Sequence, residues 1–334
     1  MKYKIIDEPL GYTAMDLKEA APLDVPYNIM IDPSGKCNFA CCFCPCNNSD
    51  EKKEIRHVVM SYEDFVLTVD GIKEFGKRVP VIDLYGFGEP LVNPDIVKMI
   101  RYIKQAEVCD YLRMTSNGAL LTEELCNQLV ESGLDYLKLS IEGIREEQYR
   151  SFCGVNIDFG KFVSTIAYLY RISRGKLKIG TKIISAAFEN EEDRDLYMEI
   201  FAPITDYIYI RNVQRNWAEF DSMVFPGAIQ DGVFAKNKVP GYKLCSYPLT
   251  HMVVHANGDI GLCCYDWKHD TVYANIRDRS AAQAWRSEEL KRIRLLHLLG
   301  RKSELNYCNN CIRKGYDNID SDAPAILERI RNGS

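Results

Sequence analysis

Alternation is the strongest constraint in the first 220 residues. Six short β-like runs, "YNIMID" (27–32), "VIDLYG" (81–86), "YLRMTS" (111–116), "YLKLSIEG" (136–143), "KIGTKII" (178–184) and "YIYIRNV" (207–213), are separated by stretches of helical period. "SYEDFVLTVDGIKEF" opens with Ser-x-x-Asp, the pattern of a capping box. "NPDIVKMIRYIKQA" enters on Asn-Pro. "LTEELCNQLVESG" has a threonine cap and stops on Gly133. "FGKFVSTIAYLYRIS" and "NEEDRDLYMEIFAPI" complete the set. Strand–helix alternation reads as repeated βαβ units around a parallel sheet. Six units are too few for the full eight-fold barrel and predict an open, partial (β/α)6 TIM-like barrel. Its chemistry belongs at the C-terminal ends of the strands. An open doubly wound sheet fits the same alternation, but no dinucleotide fingerprint follows the first strand.

The alternation stops near residue 220, which divides the chain. Residues 1–26 form an N-terminal extension, 27–220 the barrel, 221–241 an irregular linker, 242–318 a small α+β domain and 319–334 a tail. In the small domain, "HMVVHANGDIGLCC" places two short strands around Asn257-Gly258, a hairpin signal. "SAAQAWRSEELKRIRLLHLLG" reads as one helix capped by Ser280 and stopped by Gly300.

A chain of 334 residues holds one large α/β domain and a smaller one. The formal net charge of −5 argues against a generic nucleic-acid binder. No apolar run reaches the length of a membrane span. The start "MKYKIIDEPLGYT" lacks the features of a signal peptide, so the cytoplasm is the expected location. Thirteen cysteines are many for such a compartment. Cys37, Cys41, Cys42, Cys44 and Cys46 form one group, and Cys245, Cys263, Cys264, Cys308 and Cys311 a second. Clustering of this kind points to metal more than to disulfides.

Cys37, Cys41 and Cys44 are spaced C-x3-C-x2-C on the loop after the first strand. Three thiolates can hold three corners of a [4Fe–4S] cube and leave one iron open to a substrate or cofactor. Zinc is the competing occupant, with Cys42 or Cys46 as the fourth ligand.

The arrangement resembles the radical S-adenosylmethionine (SAM) superfamily, in which C-x3-C-x-aromatic-C follows the first strand of a partial barrel; Phe43 holds the aromatic position. The resemblance implies that SAM chelates the open iron and is cleaved to a 5′-deoxyadenosyl radical, which takes a hydrogen atom from substrate. "YGFGEPLVNPDI" is similar to the family's Gly-Gly-Glu motif. Gly86 and Gly88 would let the backbone approach SAM, Glu89 would accept from its ammonium, and Pro90 belongs to the same segment. "TSNG" brings Ser116 and Asn117, and "LSIEG" brings Ser140 and Glu142, toward the ribose or carboxylate of SAM. Lys182 would pair with that carboxylate. In blander readings Ser116 and Asn117 cap a turn and Lys182 reaches solvent.

The second cysteine group resembles the auxiliary-cluster extensions called SPASM and Twitch domains. By that resemblance Cys245, Cys263, Cys308 and Cys311 hold a second [4Fe–4S] cluster, and the absence of cysteine after Cys311 points to the shorter, one-cluster form. Four cysteines would also satisfy zinc. Cys264 duplicates Cys263 and is a possible substitute ligand.

The resemblance implies a choice of reactions. An auxiliary cluster can accept the second electron of a dehydrogenation, as in a Twitch relative that oxidises an aminocyclitol hydroxyl to a ketone. A cysteine can return a hydrogen atom, giving epimerisation, with Cys153 the candidate donor. Peptide modification is the third fate, although the 26 residues before the first strand are too few for a leader-binding domain. The expected substrate is a small polar molecule, carbohydrate- or aminocyclitol-like, met by Arg211, Asn212, Gln214 and Arg215 at the end of the sixth strand. The expected partner is a flavodoxin- or ferredoxin-type electron donor, with no nucleic acid and no membrane.

Overall fold

The computed structural model describes residues 16–46, 53–211, 243–309, 311 and 318–332. In chain order the elements are α1 (Leu17–Ala20), β1 (Asn28–Ile31), α2 (Lys53–Arg56), α3 (Tyr62–Lys73), β2 (Val79–Leu84), α4 (Ile96–Ala106), β3 (Cys109–Ser116), α5 (Glu123–Glu131) and β4 (Tyr136–Ile141). Then come α6 (Glu146–Cys153), α7 (Phe159–Ser173), β5 (Lys178–Ile184), α8 (Glu191–Phe201) and β6 (Tyr207–Arg211). The C-terminal part adds α9 (Tyr247–Thr250), β7 (His251–Val254), β8 (Asp259–Gly261), β9 (Ala274–Asn275), α10 (Ala281–Trp285), α11 (Glu288–Leu298), α12 (Asn306–Asn309) and α13 (Ala323–Asn332).

The strands form one sheet in the order β6-β5-β4-β3-β2-β1-β7-β8-β9. Strands β1 to β6 are parallel and sequential, as the βα alternation requires. This is the partial barrel, and its order is linear among the described residues. The C-terminal part is not appended as a separate layer. Strand β7 pairs in parallel with β1, Asn28 opposite His251, and β8 and β9 follow antiparallel.

The two faces of the barrel strands differ sharply. One carries Ile29, Ile31, Ile82, Leu84, Leu112, Met114, Leu137, Leu139, Ile141, Ile179 and Ile183, all buried in the main core. Each such side chain contributes about 1.5–3 kcal/mol by leaving water. Helices cover this face; α4 supplies Ile96, Met99, Ile100 and Ile103. The other face carries Asn28, Asp83, Arg113, Tyr136, Lys138, Ser140, Lys182, Tyr209 and Arg211. Side chains alternate across a strand, so the register puts this set together on the inner face of the barrel.

The expected helix signals are present. Ser61 caps α3 by accepting from the Asp64 N–H at 3.1 Å, and Thr122 caps α5 by accepting from Leu125 at 3.1 Å. Asn93 does more than open α4. Its side-chain nitrogen donates to the carbonyls of Pro33 (2.8 Å) and Met60 (2.9 Å), tying that entry to the loop after β1.

One expectation is corrected. The stretch 280–300 is two helices, because Ser287 interrupts it and caps α11 by accepting from Leu290 at 3.2 Å. Within the expected C-terminal tail, residues 323–332 form α13. Ile319, Ala323, Ile326 and Ile330 form a second small core with Leu17, Ala21, Leu244, Leu249 and Leu298, joining the two ends of the described chain. The expected linker, 221–241, lies outside the described residues.

Candidate active site

The loop after β1 is clamped at several points. Asp32 accepts from the Ser34 N–H at 3.2 Å, and Gly35 N–H donates to the Val58 carbonyl at 2.8 Å. Ala40 and Cys42 N–H donate to the carbonyls of Cys153 and Phe152, each at 2.8 Å, at the end of α6. Phe39 is buried edge-on against Tyr149 at 6.1 Å. Phe43 packs partly buried against the main core. The clamps leave Cys37, Cys41 and Cys44 half-buried on one short segment. Their thiols sense one another: burial pushes Cys37 up to about 12, and Cys41 and Cys44 add to the effect. Iron binding would release these protons, since the thiolate is the ligand.

The surplus thiols are not idle. Cys46 is buried and neighbours the Cys44 thiol. Cys153 is fully buried and neighbours the Cys41 thiol. Cys153, the expected hydrogen-atom donor, thus lies at the end of α6 behind the cysteine loop.

Glu89 is the hub of the neighbouring strand ends. Its Oε1 accepts from Ser116 Oγ at 2.6 Å and from Leu91 N–H at 3.0 Å; its Oε2 accepts from Asn117 N–H at 2.7 Å. Asn117 then donates to Asn38 Oδ1 at 2.8 Å, beside Cys37. Glu89 N–H donates to the Lys36 carbonyl at 2.8 Å. The carboxylate is buried, which raises its pKa, and the bonds from Asn117, Ser116 and Leu91 oppose that rise. Both oxygens are thus engaged within the chain, and Ser116 and Asn117 also shape the turn into Gly118 and Ala119. Pro90 starts the short turn that Glu89 caps.

Gly86 and Gly88 answer to crowding inside the protein. A Cβ at Gly86 would lie 2.3 Å from the Asp32 carboxyl carbon, and one at Gly88 would lie 1.9 Å from the Ser34 carbonyl oxygen. Both glycines let the β2 end press against the cysteine loop. Asp32, which the sequence did not single out, is buried there, and burial lifts its carboxyl to about 7.

Further around the rim, Ser140 and Lys182 are register partners on β4 and β5. Glu142 is buried, and its Oε2 has no hydrogen-bond partner among the described residues. Its charge is felt at Cys41 and Cys42. An orphaned carboxylate oxygen facing the cysteine loop fits a polar cofactor at this rim. Of the expected substrate residues, Arg211 ends β6. Asn212, Gln214 and Arg215 lie outside the described residues.

The second cysteine group gathers at the opposite end of the strands. Cys245 precedes α9, which leads into the first residue of β7, and Cys263 follows β8, which runs back antiparallel. Cys245, Cys263 and Cys308 are buried and Cys311 is half-buried. Burial pushes Cys245 and Cys308 up to about 12, and Cys311 acts on both. Cys245 also raises Cys263. Four neighbouring thiols suit a cluster, where each thiolate takes its own iron. Among the described residues no three His, Cys, Asp or Glu side chains converge as tightly as one metal ion needs. Cys264 neighbours Cys263 and Tyr247 and senses Asp83, so it borders the base of the barrel interior. There Asp83 takes Arg113 in a two-point ion pair (2.7 and 2.6 Å) and accepts from Asn28 at 2.7 Å.

An open parallel barrel with three loop cysteines at one end and four more thiols at the other has the ligands that an iron–sulfur enzyme needs. The chain belongs to the radical SAM superfamily, whose model matches residues 31–199, and residues 245–312 match the SPASM iron–sulfur cluster-binding domain. Its cofactors are accordingly a [4Fe–4S] cluster with SAM in the barrel and an auxiliary iron–sulfur cluster in the SPASM region.

A probable GTP 3′,8-cyclase of Saccharolobus islandicus (strain M.14.25 / Kamchatka #1) is 35% identical over 120 residues, 36% of this chain and 36% of that protein. The match thus spans about a third of that relative's length. Two solved structures share the fold. One is BtrN in complex with AdoMet and 2-DOIA, with TM-score 0.54, 16% identity and coverage of 86% of this chain and 93% of that one. The other is SuiB of Streptococcus suis bound to S-adenosylmethionine, with TM-score 0.60, 16% identity and coverage of 82% and 68%. No helix among the described residues is long and apolar enough to cross a membrane.

Proposed function

We propose that this radical SAM enzyme dehydrogenates a small polar substrate, carbohydrate- or aminocyclitol-like, held in the barrel interior, with the auxiliary cluster as acceptor of the second electron and the hydroxyl proton passing to solvent. Bound cluster and SAM supply a carbon radical that takes one hydrogen atom from the substrate. The remaining roles fall to this chain. Cys37, Cys41 and Cys44 would hold the cluster. Glu142, Ser140 and the Glu89–Ser116–Asn117 network would hold SAM. Cys245, Cys263, Cys308 and Cys311 would hold the auxiliary cluster. A flavodoxin- or ferredoxin-type protein would supply the first electron.

The observation that carries this reading is the placement of the two thiol groups at opposite ends of the strands, with the polar barrel interior between them. A substrate radical formed near the rim would then have an electron acceptor at the base. BtrN, crystallised with AdoMet and 2-DOIA, lends the reading a structural parallel.

The test uses the reconstituted enzyme with SAM, a strong reductant and a panel of sugars, aminocyclitols and their phosphates. The expected product is lighter by two hydrogens. Cys308→Ser should abolish it while SAM cleavage continues. A product of unchanged formula would sink the dehydrogenase reading.

A further inference from the structure

Two polar side chains, Lys302 and His297, border the auxiliary cysteine group. Lys302 stands in the turn between α11 and α12 and is half-buried. Its Nζ donates to the Cys311 carbonyl at 3.1 Å, which fixes the ammonium beside that cysteine. Its charge also acts on the Cys245 and Cys308 thiols and opposes the rise that burial imposes on both. Asp266 acts on Cys308 the other way. The ammonium is thus within electrostatic reach of three of the four expected ligands.

His297 sits in the last turn of α11 and is 3% exposed. Neither ring nitrogen has a hydrogen-bond partner among the described residues. An imidazole always keeps at least one N–H, and a buried donor left unmet is costly. The end of α11 runs beside the segment that carries Cys245 into α9. Arg294 Nε donates to the Pro248 carbonyl at 3.0 Å, and a Cβ at Gly300 would meet a Leu244 methyl at 4.0 Å. His297 lies between those two contacts and shares a helix face with Arg294, three residues earlier. That sets it opposite residues 245–247. The Lys302 charge reaches its ring as well. An orphaned N–H in this place matches the acceptor that a bound cluster brings, a sulfide or thiolate sulfur.

We propose that Lys302 and His297 set the reduction potential of the auxiliary cluster, Lys302 as a fixed positive charge and His297 as an N–H donor to one of its sulfurs. This rests on the reading that Cys245, Cys263, Cys308 and Cys311 hold that cluster. A cluster bound by four thiolates is net negative and gains one more negative charge on reduction. A nearby cation and a hydrogen bond to sulfur therefore both favour the reduced form. The pair makes the cluster a readier acceptor of the electron that a substrate radical gives up.

The experiment is a reductive titration of the full-length, reconstituted protein followed by electron paramagnetic resonance, with no substrate and no turnover. Cys308→Ser identifies the auxiliary signal by removing it. Lys302→Met should lower the auxiliary midpoint, so that the ratio of reduced to oxidised cluster at a set potential falls roughly tenfold, about 59 mV for a one-electron couple. His297→Phe should shift it the same way. Lys302→Arg and His297→Gln, which keep the charge and an N–H, should stay near the wild type. The SAM cluster midpoint and the iron content should hold in all four. An unshifted auxiliary midpoint in Lys302→Met or His297→Phe would overturn the proposal, as would an equal shift of both clusters, which would mean general loosening. An auxiliary signal that survives Cys308→Ser would overturn the ligand set and the proposal with it. An unshifted midpoint beside a product lighter by two hydrogens would overturn this proposal alone, and a failed dehydrogenation would leave the measured shift standing.

Discussion

At the residue scale, Glu89 shows how one side chain can organise two strand ends. It accepts three hydrogen bonds while buried, and it reaches Cys37 through Asn117 and Asn38. Glu89→Gln keeps the shape but replaces one acceptor oxygen with a donor. One of the three donors then loses its partner, which costs about 1–3 kcal/mol. The expected result is a melting temperature lower by several degrees and weaker SAM binding, with cluster iron retained; unchanged melting and unchanged SAM affinity would remove Glu89 from its organising role. The motif around Glu89 was legible in the sequence. Its internal partners were not, because hydrogen bonds spanning 27 or 28 positions leave no local pattern. Asp32 was invisible for the same reason: nothing near it in sequence signals burial against Gly86.

At the element scale, strand and helix positions followed local signals closely. Helix α7 spans the expected 159–173 and β5 the expected 178–184. The inner face was also written in the sequence. A parallel sheet covered on both faces reads as continuous apolar runs, whereas "YLKLS", "KIGTKII" and "YIYIR" alternate, and alternation here marks a polar barrel interior. The break between α10 and α11 was missed because an apolar helical period continues across it. Ser287 decides the matter by capping α11. Ser287→Ala should therefore cost about 1 kcal/mol, read as a shift in the denaturation midpoint. In a continuous helix alanine would be neutral or stabilising, so a midpoint that holds or rises would restore the single helix.

At the scale of the whole molecule, the sequence separated a barrel from a C-terminal cluster domain, yet the two share one sheet through the β1–β7 pairing. That pairing crosses more than two hundred residues, beyond the reach of periodicity or turn chemistry. It sets the auxiliary cysteines at the base of the barrel interior, which gives the proposed electron path its direction. The same long-range closure joins α1 to α13, where Arg329 donates to the Ala21 carbonyl at 2.7 Å.

The account depends most directly on both thiol groups carrying clusters. Iron and acid-labile sulfide per chain, measured after anaerobic reconstitution, should come to about eight each for the wild type and about four for a Cys245→Ser, Cys308→Ser variant. About four in the wild type, unchanged in the variant, would leave the base of the barrel without an electron acceptor and contradict the dehydrogenation proposed here.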